Sequence, residues 1–433
     1  AWLLGLAVLA GCAQPPAAPV QPEAATGQVA KPGWSFERQA VAAANPLAAE
    51  AGLRILRQGG SAVDAAVAVL TLVEPQSSGI GGGAFLLHWD GQRVLAFDGR
   101  ETAPAAVDER LFLDPSGQPL PFATAVASGR AVGVPGAVPM LALAHRQHGR
   151  LPWAALFVPA IELAERGFAV SPRLHALLRA DQALPMDPVA KAYFYRPDGT
   201  PHPVGHPLRN PELAAVFRAL ATAGPIALVE GPVAQALVDK VRHHPTLPGA
   251  LTQDDLRRYL PREREALCHP LRTGGRWVRV CGMPPPSSGG IAVGQILGLL
   301  SRTPQALARL REDRPGADWL HAYTEASRLA FADRAQYLGD PDFVPAPGGD
   351  WASLLAPDYL NARAALIGPQ RAPQVGPGQP ASAPLAFAPM PPQPEAGTSH
   401  IGIVDAQGRA LAMTTTIESA FGARLVVCTD AAR

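Results

Sequence analysis

Apolar residues in this chain recur at two different spacings, and the changes of spacing mark its elements. Leu47, Ala51, Ile55 and Leu56 form one stripe between Pro46 and Gln58, and Gly59-Gly60 follows, so a helix with a glycine stop is predicted there. Ser61-x-x-Asp64 then reads as a capping box for a second helix, Ala62 to Val73, apolar enough to be buried and ended by Glu74-Pro75. After Gly79-Ile80-Gly81-Gly82-Gly83 the spacing becomes that of strands, Ala84 to Trp89 and Arg93 to Asp98. Helix, glycines, strand is the reverse of the order a dinucleotide-binding fingerprint needs. The glycines are therefore expected to let one backbone pass close to another. Further helices are predicted over 134–148, 152–166, 211–223, 231–242, 291–300 and, long and amphipathic, 318–338. The Pro/Ser/Gly run 283–290 breaks the chain before the helix at 291, whose N-terminus is either an anion site or a structural turn. Residues 368–397 are rich in Pro, Gly and Ala without periodicity, and so long a loop inside a domain is often functional.

Two hairpins are legible to the residue. Cys268 and Cys281 flank Thr273-Gly274-Gly275-Arg276. A two-residue turn over the glycines sets Cys268 directly opposite Cys281 in a non-hydrogen-bonded pair, with Cα atoms about 4.5 Å apart, within disulfide range. Pro270 falls on a position of the same kind, where its missing N–H is not needed. A bridge and two buried free thiols are the two readings. In the second hairpin Thr398 to Asp405 and Arg409 to Thr416 alternate, and Asp405-Ala406-Gln407-Gly408 reads as a type I turn with Gly408 left-handed. That register sets Thr398 directly opposite Thr416, with both side chains on one face.

Composition narrows the classes. The 433 residues are 48% hydrophobic, enough for a sizeable core in one large α/β domain or about three smaller ones. The net charge of +1 gives no drive towards nucleic acid or anionic lipid. Lysine occurs only at 31, 191 and 240, so there is neither a Gly-Lys-Ser/Thr phosphate loop nor a Ser-x-x-Lys acyl-enzyme motif. The eleven histidines are scattered without metal-ligand spacing; they are expected at the surface, and no metal is implied. At the start, Trp2 to Leu9 is an apolar run far short of the roughly 20 residues a membrane span needs. Leu9-Ala10-Gly11-Cys12 follows and matches the bacterial lipoprotein pattern, so residues 1–11 read as a signal remnant and Cys12 as the lipidation site. Residues 12–35 read as a disordered tether. The expected location is periplasmic, with membrane contact only through the lipid anchor, a compartment where a Cys268–Cys281 bridge can form.

No Gly-x-Ser-x-Gly elbow is present. What remains is a segment ending in Gly397, a threonine opening a strand, and a hydroxyl across from it. Gly397 has no Cβ, so the peptide before Thr398 can be bent at little steric cost. A threonine freed there would have its own α-amine as base; the other reading is an ordinary hairpin.

Several stretches, in order, carry a resemblance. They are Gln58-Gly59-Gly60-Ser61-Ala62-Val63-Asp64-Ala65-Ala66-Val67-Ala68, Gly81-Gly82-Gly83-Ala84-Phe85, Gly99-Arg100-Glu101-Thr102-Ala103-Pro104 and Val132-Gly133-Val134-Pro135-Gly136. The 283–290 run, Ala332-Asp333-Arg334-Ala335-Gln336-Tyr337-Leu338-Gly339-Asp340-Pro341 and Thr398-Ser399-His400 continue the set. Over about residues 36 to 427 the chain resembles the γ-glutamyltransferase (γ-glutamyltranspeptidase, glutathione hydrolase) family. The resemblance implies an α/β (α+β) fold, the four-layer αββα sandwich of the N-terminal-nucleophile hydrolases. It implies self-cleavage between Gly397 and Thr398 into a large-subunit region, 36–397, and a small-subunit region beginning at 398, paired as a heterodimer. Thr398 would attack the γ-glutamyl amide of glutathione and related compounds, and pass the acyl group to water, an amino acid or a peptide, with no cofactor. Thr416 would hydrogen-bond the nucleophile, Arg100 would hold the substrate α-carboxylate, and Glu418 would help hold the α-amino group. Many family members have Asn at the position of Glu418.

The resemblance departs at the end. Family members run on for well over a hundred residues past Thr398, against 36 here counting Thr398 itself, and Cys428 to Arg433 do not fit the pattern. The expectation is a sandwich incomplete at the C-terminus and a chain inactive as it stands. Two rivals remain: a cephalosporin-type or other amide acylase of the same fold, against which Arg100 and Glu418 argue, and a non-catalytic periplasmic binding lipoprotein.

Overall fold

The computed structural model describes residues 35–72, 76–303, 315–380, 390 and 397–429. The expected signal remnant, Cys12 and all of the tether but Ser35 lie outside the described residues. The first half holds β1 (Ala40–Ala42), α1 (Pro46–Arg57), α2 (Ala62–Leu70), β2 (Gly83–Trp89), β3 (Val94–Gly99), α3 (Phe122–Val126), α4 (Ala137–His148), α5 (Val158–Arg166), β4 (Phe168–Ala169), α6 (Pro172–Ala180) and α7 (Pro188–Phe194). The second holds β5 (Pro207–Leu208), α8 (Pro211–Ala223), α9 (Gly231–Arg242), α10 (Gln253–Arg258), β6 (Arg262–Glu265), β7 (Leu267–Thr273) and β8 (Arg276–Gly282). After these come α11 (Gly289–Leu300), α12 (Ala317–Tyr337), α13 (Pro357–Ala364), β9 (Ser399–Val404) and β10 (Ala410–Thr416).

Six strands form one antiparallel sheet in the order β1-β9-β10-β2-β3-β6. The hairpin that begins at Thr398 is therefore in the middle of the sheet, flanked on both sides by strands from earlier in the chain. Alternation decides the faces. Ile401, Ile403, Leu411, Met413, Leu86 and Phe97 point to one side and are buried against α1, α2 and α4. His400, Thr414, Thr416 and Phe85 point to the other side and are half-exposed or exposed. All nine residues of α2 are buried, the eight apolar ones as their character predicts. Its capping box forms: Ser61 Oγ accepts from Asp64 N–H, and Asp64 accepts from Ser61 N–H at 2.8 Å. Asp64 also accepts from the backbone of Arg150 and Leu151, tying the start of α2 to the loop after α4.

The hairpin of β7 and β8 pairs Cys268 with Cys281, turning over Gly274 and Gly275 at φ 56° and 77°. The two sulfurs are joined, with Cα atoms 4.0 Å apart, so of the two readings the structure has the bridge. Part of the aperiodic stretch after 368 is fastened to α12, where Ala372 N–H donates to Glu325 and Gly378 N–H donates to Asp333.

Three expectations need correction. The helix expected from 134 begins at Ala137, because Gly136 stands at its N-cap. The one expected over 152–166 is a 3-10 turn, Trp153–Phe157, followed by α5; Pro159 lies in the first turn of α5, where its missing N–H is tolerated. Of the histidines expected at the surface, His88 is the exception. His88 is fully buried on the inward face of β2, its ring 4.7 Å from that of His148 and its Nδ1 3.2 Å from the Ala410 carbonyl. Burial, then the neighbouring His148, push the His88 pKa down to about 4, so it is neutral in the core.

Candidate active site

Turn chemistry places the first two residues. Asp405 Oδ1 accepts from the N–H groups of Gln407 and Arg409, Gly408 N–H donates to the Asp405 carbonyl, and Gly408 has φ 74°. That turn fixes the pairing Ser399↔Thr415 of β9 with β10, which brings Thr398 beside Thr416. Their hydroxyls are 3.4 Å apart, Thr398 donating. On its other side β10 pairs Thr416 with Gly83, and β2 pairs Ala84 with Gly99, one residue before Arg100. Thr398, Thr416, Gly83 and Arg100 thus stand in one row across the end of the sheet. Three interstrand steps of about 4.8 Å put roughly 14 Å between the Thr398 and Arg100 backbones. An extended arginine side chain covers about half of that.

The peptide bond before Thr398 is held from the same hydroxyl. Thr416 Oγ1 donates to the Gly397 carbonyl at 2.9 Å and accepts from Glu418 N–H at 2.9 Å. With the Thr398 hydroxyl as its second donor, Thr416 uses its one proton and both lone pairs. Gly397 has φ +57°, the left-handed conformation that glycine alone adopts freely. Glu418 has φ 72°, and Phe421 and Arg424 are left-handed too, a run of strain that persists only where the surroundings impose it. Here Ile417 N–H donates to the Ser77 carbonyl, Phe421 N–H donates to the Gln76 carbonyl, and the Phe421 ring packs on Phe194. Glu418 is exposed, with its backbone at the site.

The glycine run lies under this arrangement. A Cβ at Gly82 would stand 2.0 Å from the Thr416 carbonyl oxygen, and one at Gly83 would stand 2.3 Å from a Glu101 carboxylate oxygen. The expectation of a close backbone approach is met at Gly82, and the neighbour it admits is the site itself. Ser78 donates to Ser399, next to Thr398, across 3.0 Å in a buried contact. Arg100 is half-exposed at a cleft of about 320 Å³, its Nε 3.5 Å from Glu101.

Of the residues singled out from sequence, Gly397, Thr398, Thr416 and the Glu418 backbone are joined by hydrogen bonds. Arg100 shares their row without touching them. Cys268 and Cys281 lie in a hairpin outside the six-stranded sheet. Among the described residues no group of three or more His, Cys, Asp or Glu side chains is placed to hold a metal. Sequence reasoning missed Ser78, Glu101 and the bond from Thr416 to the Gly397 carbonyl. Glu101 stood inside a quoted motif, and the partner of Ser78, Ser399, lies 321 positions away in sequence.

A family model described as Gamma-glutamyltranspeptidase matches residues 48–429. The glutathione hydrolase proenzyme of Bacillus subtilis (strain 168) is 35% identical over 401 residues, covering 89% of this chain and 65% of the relative. That of Escherichia coli (strain K12) is 33% identical over 395 residues, covering 89% and 64%. This chain therefore spans about 65% of the length of the curated relatives it matches. Among solved structures, the Helicobacter pylori gamma-glutamyltranspeptidase is similar with a TM-score of 0.72 at 30% identity, covering 80% of this chain and 98% of that one. A cephalosporin acylase from Bacillus halodurans is similar with a TM-score of 0.74 at 27% identity, covering 93% and 71%.

Proposed function

The chain belongs to the gamma-glutamyltranspeptidase family, and from that premise we propose that Thr398 is the nucleophile of a γ-glutamyl-transferring hydrolase, freed by self-cleavage before it. The fold is that of the N-terminal-nucleophile hydrolases shared by the transpeptidase and acylase structures. The observation that carries the reading is the hydroxyl chain Thr398–Thr416–Gly397 carbonyl. It puts a nucleophile and a proton donor together at one peptide bond. As Thr398 Oγ1 bonds to the Gly397 carbonyl carbon, its proton passes to Thr416 Oγ1, and the Thr416 proton passes to the carbonyl oxygen. One relay thus activates the nucleophile and neutralises the oxyanion. The carbonyl then re-forms as the C–N bond breaks, the proton on its oxygen passing to the leaving nitrogen, and an ester joins Gly397 to the Thr398 side chain. Water cleaves that ester and leaves Thr398 with a free α-amine. The products are a large-subunit region ending at Gly397 and a small-subunit region beginning at Thr398, paired as a heterodimer.

In turnover the α-amine serves as base while Thr398 attacks the γ-glutamyl amide of glutathione or a related compound. Water, an amino acid or a peptide then takes the acyl group. Arg100, across the row, suits the substrate α-carboxylate, for which a guanidinium offers two parallel donors. Glu418, whose backbone touches Thr416, supplies negative charge for the α-ammonium. These two opposite charges favour a free amino-acid head group over the apolar or diacid side chain an acylase would take. Because the chain spans 65% of the relatives' length, activity is assayed on a full-length form, carried on to the length of those relatives. It should hydrolyse a γ-glutamyl-anilide, and Arg100→Ala should spare self-cleavage while weakening substrate binding by about 2–5 kcal/mol. Hydrolysis of a glutaryl amide in preference to the γ-glutamyl-anilide would establish the acylase reading instead. For location, we propose export with Cys12 lipidated and the enzyme held in the periplasm; a Cys12→Ser protein that stays in the membrane fraction would refute this.

A further inference from the structure

Arg100 enters the row from a turn beyond β3, so contacts outside the sheet decide where its side chain begins. Its N–H donates to Asp98 Oδ1 at 2.8 Å, and Asp98 is held in turn by Arg264 Nε at 2.7 Å. The Thr102 carbonyl accepts from Val134 N–H at 2.9 Å. The remaining two fixings come from α10 and the residue after it. Ala105 N–H donates to Asp255 at 2.9 Å, and the Arg100 carbonyl accepts from the Tyr259 hydroxyl at 2.8 Å. Asp255 also closes the capping box of α10 with Thr252, and Tyr259 is that helix's C-cap. One short rigid element thus grips the Arg100 turn at both ends.

The phenol has a prepared place. A Cβ at Gly136 would stand 2.1 Å from the Tyr259 hydroxyl oxygen and 2.3 Å from the Gly99 carbonyl, so only glycine there leaves the path open. The Tyr259 ring packs on the cluster that includes Val134 and Leu256, which fixes its aim. Burial, then the Asp98 and Glu101 carboxylates, push the phenol pKa well above its ordinary value, so the hydroxyl remains a donor at any physiological pH.

We propose that Tyr259 is a positioning residue for substrate binding, its hydroxyl fixing the Arg100 main chain so that the guanidinium meets the substrate α-carboxylate. The inference rests on the functional reading above. It gives Tyr259 no part in self-cleavage, because the Thr398–Thr416–Gly397 chain does not include Arg100.

The test compares Tyr259→Phe, Arg100→Ala and the double variant in the full-length form, with a γ-glutamyl-anilide as substrate. Tyr259→Phe removes one oxygen and keeps the packing. KM should rise about 5- to 30-fold, the effect of one lost hydrogen bond to a group that orients a charge, while kcat stays within about twofold. Self-cleavage should run at the parent rate. Adding Tyr259→Phe to Arg100→Ala should raise KM no further, because the phenol acts only through Arg100. An unchanged KM in Tyr259→Phe, a slowed self-cleavage, or a full additional rise in the double variant would each overturn the proposal. A parent with no γ-glutamyl turnover would overturn the functional reading and this inference with it, whereas turnover by the parent with an unaltered Tyr259→Phe overturns the inference alone.

Discussion

Gly82→Ala would place one methyl group where the end of β10 leaves no room. The new Cβ would stand 2.0 Å from the Thr416 carbonyl oxygen, 3.0 Å from the Thr416 carbonyl carbon and 2.9 Å from Ile417 Cγ2. Ordinary contact begins near 3.4 Å, so about 1.4 Å must be opened. Gly82 is poorly placed to retreat. Its carbonyl accepts from both Gly136 N–H and Ala137 N–H at 3.1 Å, at the start of α4, and its own N–H donates to the Gly79 carbonyl. The strain therefore falls on Thr416, whose hydroxyl holds the peptide bond to be cut. Overpacking of this kind typically destabilises by about 1–3 kcal/mol, while a misplacement of about 1 Å at a reacting centre lowers rates about 10²-fold. In a domain of this size the first effect lowers Tm by only a few degrees, roughly 2–4 °C per kcal/mol. The expected result in the full-length form is a folded protein with a modestly lowered Tm whose self-cleavage is slowed about 10²-fold or more. Both are read from thermal unfolding and from a timed gel of the fragment beginning at Thr398. The neighbouring glycines are internal controls. Gly81→Ala meets nothing within 4 Å and should behave as the parent. Gly83→Ala comes first against the Glu101 carboxylate, the far end of a flexible side chain, and should cleave near the parent rate. Cleavage of Gly82→Ala at the parent rate would refute the claim that this close approach sets the position of Thr416.

Thr416→Val keeps the shape and removes the hydroxyl, leaving the Gly397 carbonyl without its donor. Self-cleavage, followed by the same gel, should slow about 10²–10³-fold, and Thr416→Ser should restore most of it. His88 gives a pH dependence. Its folded pKa of about 4 lies below the roughly 6.5 of an unfolded histidine, so the unfolded chain binds the extra proton first as pH falls. The stability this neutral histidine contributes is present in full above about pH 6.5 and is lost as pH drops towards 4, by about 3 kcal/mol. Urea unfolding of the parent and of His88→Gln should therefore diverge in slope across that window, and parallel curves would contradict it.

Local features carried most of what sequence could foresee. Gly274-Gly275 and the Asp405–Gly408 turn each allow few hairpin geometries, so Cys268 opposite Cys281 and Thr398 opposite Thr416 followed from counting outward. The Ser61-x-x-Asp64 capping box did the same for the start of α2. Features set by distant neighbours were hidden. His88 looks polar in sequence, and only the packing of β2 against α4 shows why it is buried and neutral. Tyr259 is one aromatic residue after a six-residue helix, and its bond to the Arg100 carbonyl spans 159 positions. The glycine run was legible as a place of close approach, but what approaches it is β10, more than three hundred residues away. The bond from Thr416 to the Gly397 carbonyl depends on the left-handed Gly397 and the turn at Glu418, neither of which strand alternation reveals.

The most direct test is the N-terminal sequence of the smaller fragment formed by the purified full-length form, measured alongside Thr398→Ala. The hydroxyl chain at the Gly397–Thr398 bond predicts a fragment beginning with Thr398 in the parent, appearing at a rate independent of protein concentration because the attack is intramolecular. In Thr398→Ala it predicts a single uncleaved chain and no γ-glutamyl turnover. A Thr398→Ala protein that is cut at the same bond, or that turns over the γ-glutamyl-anilide at the parent rate, would contradict the assignment of Thr398 as the nucleophile.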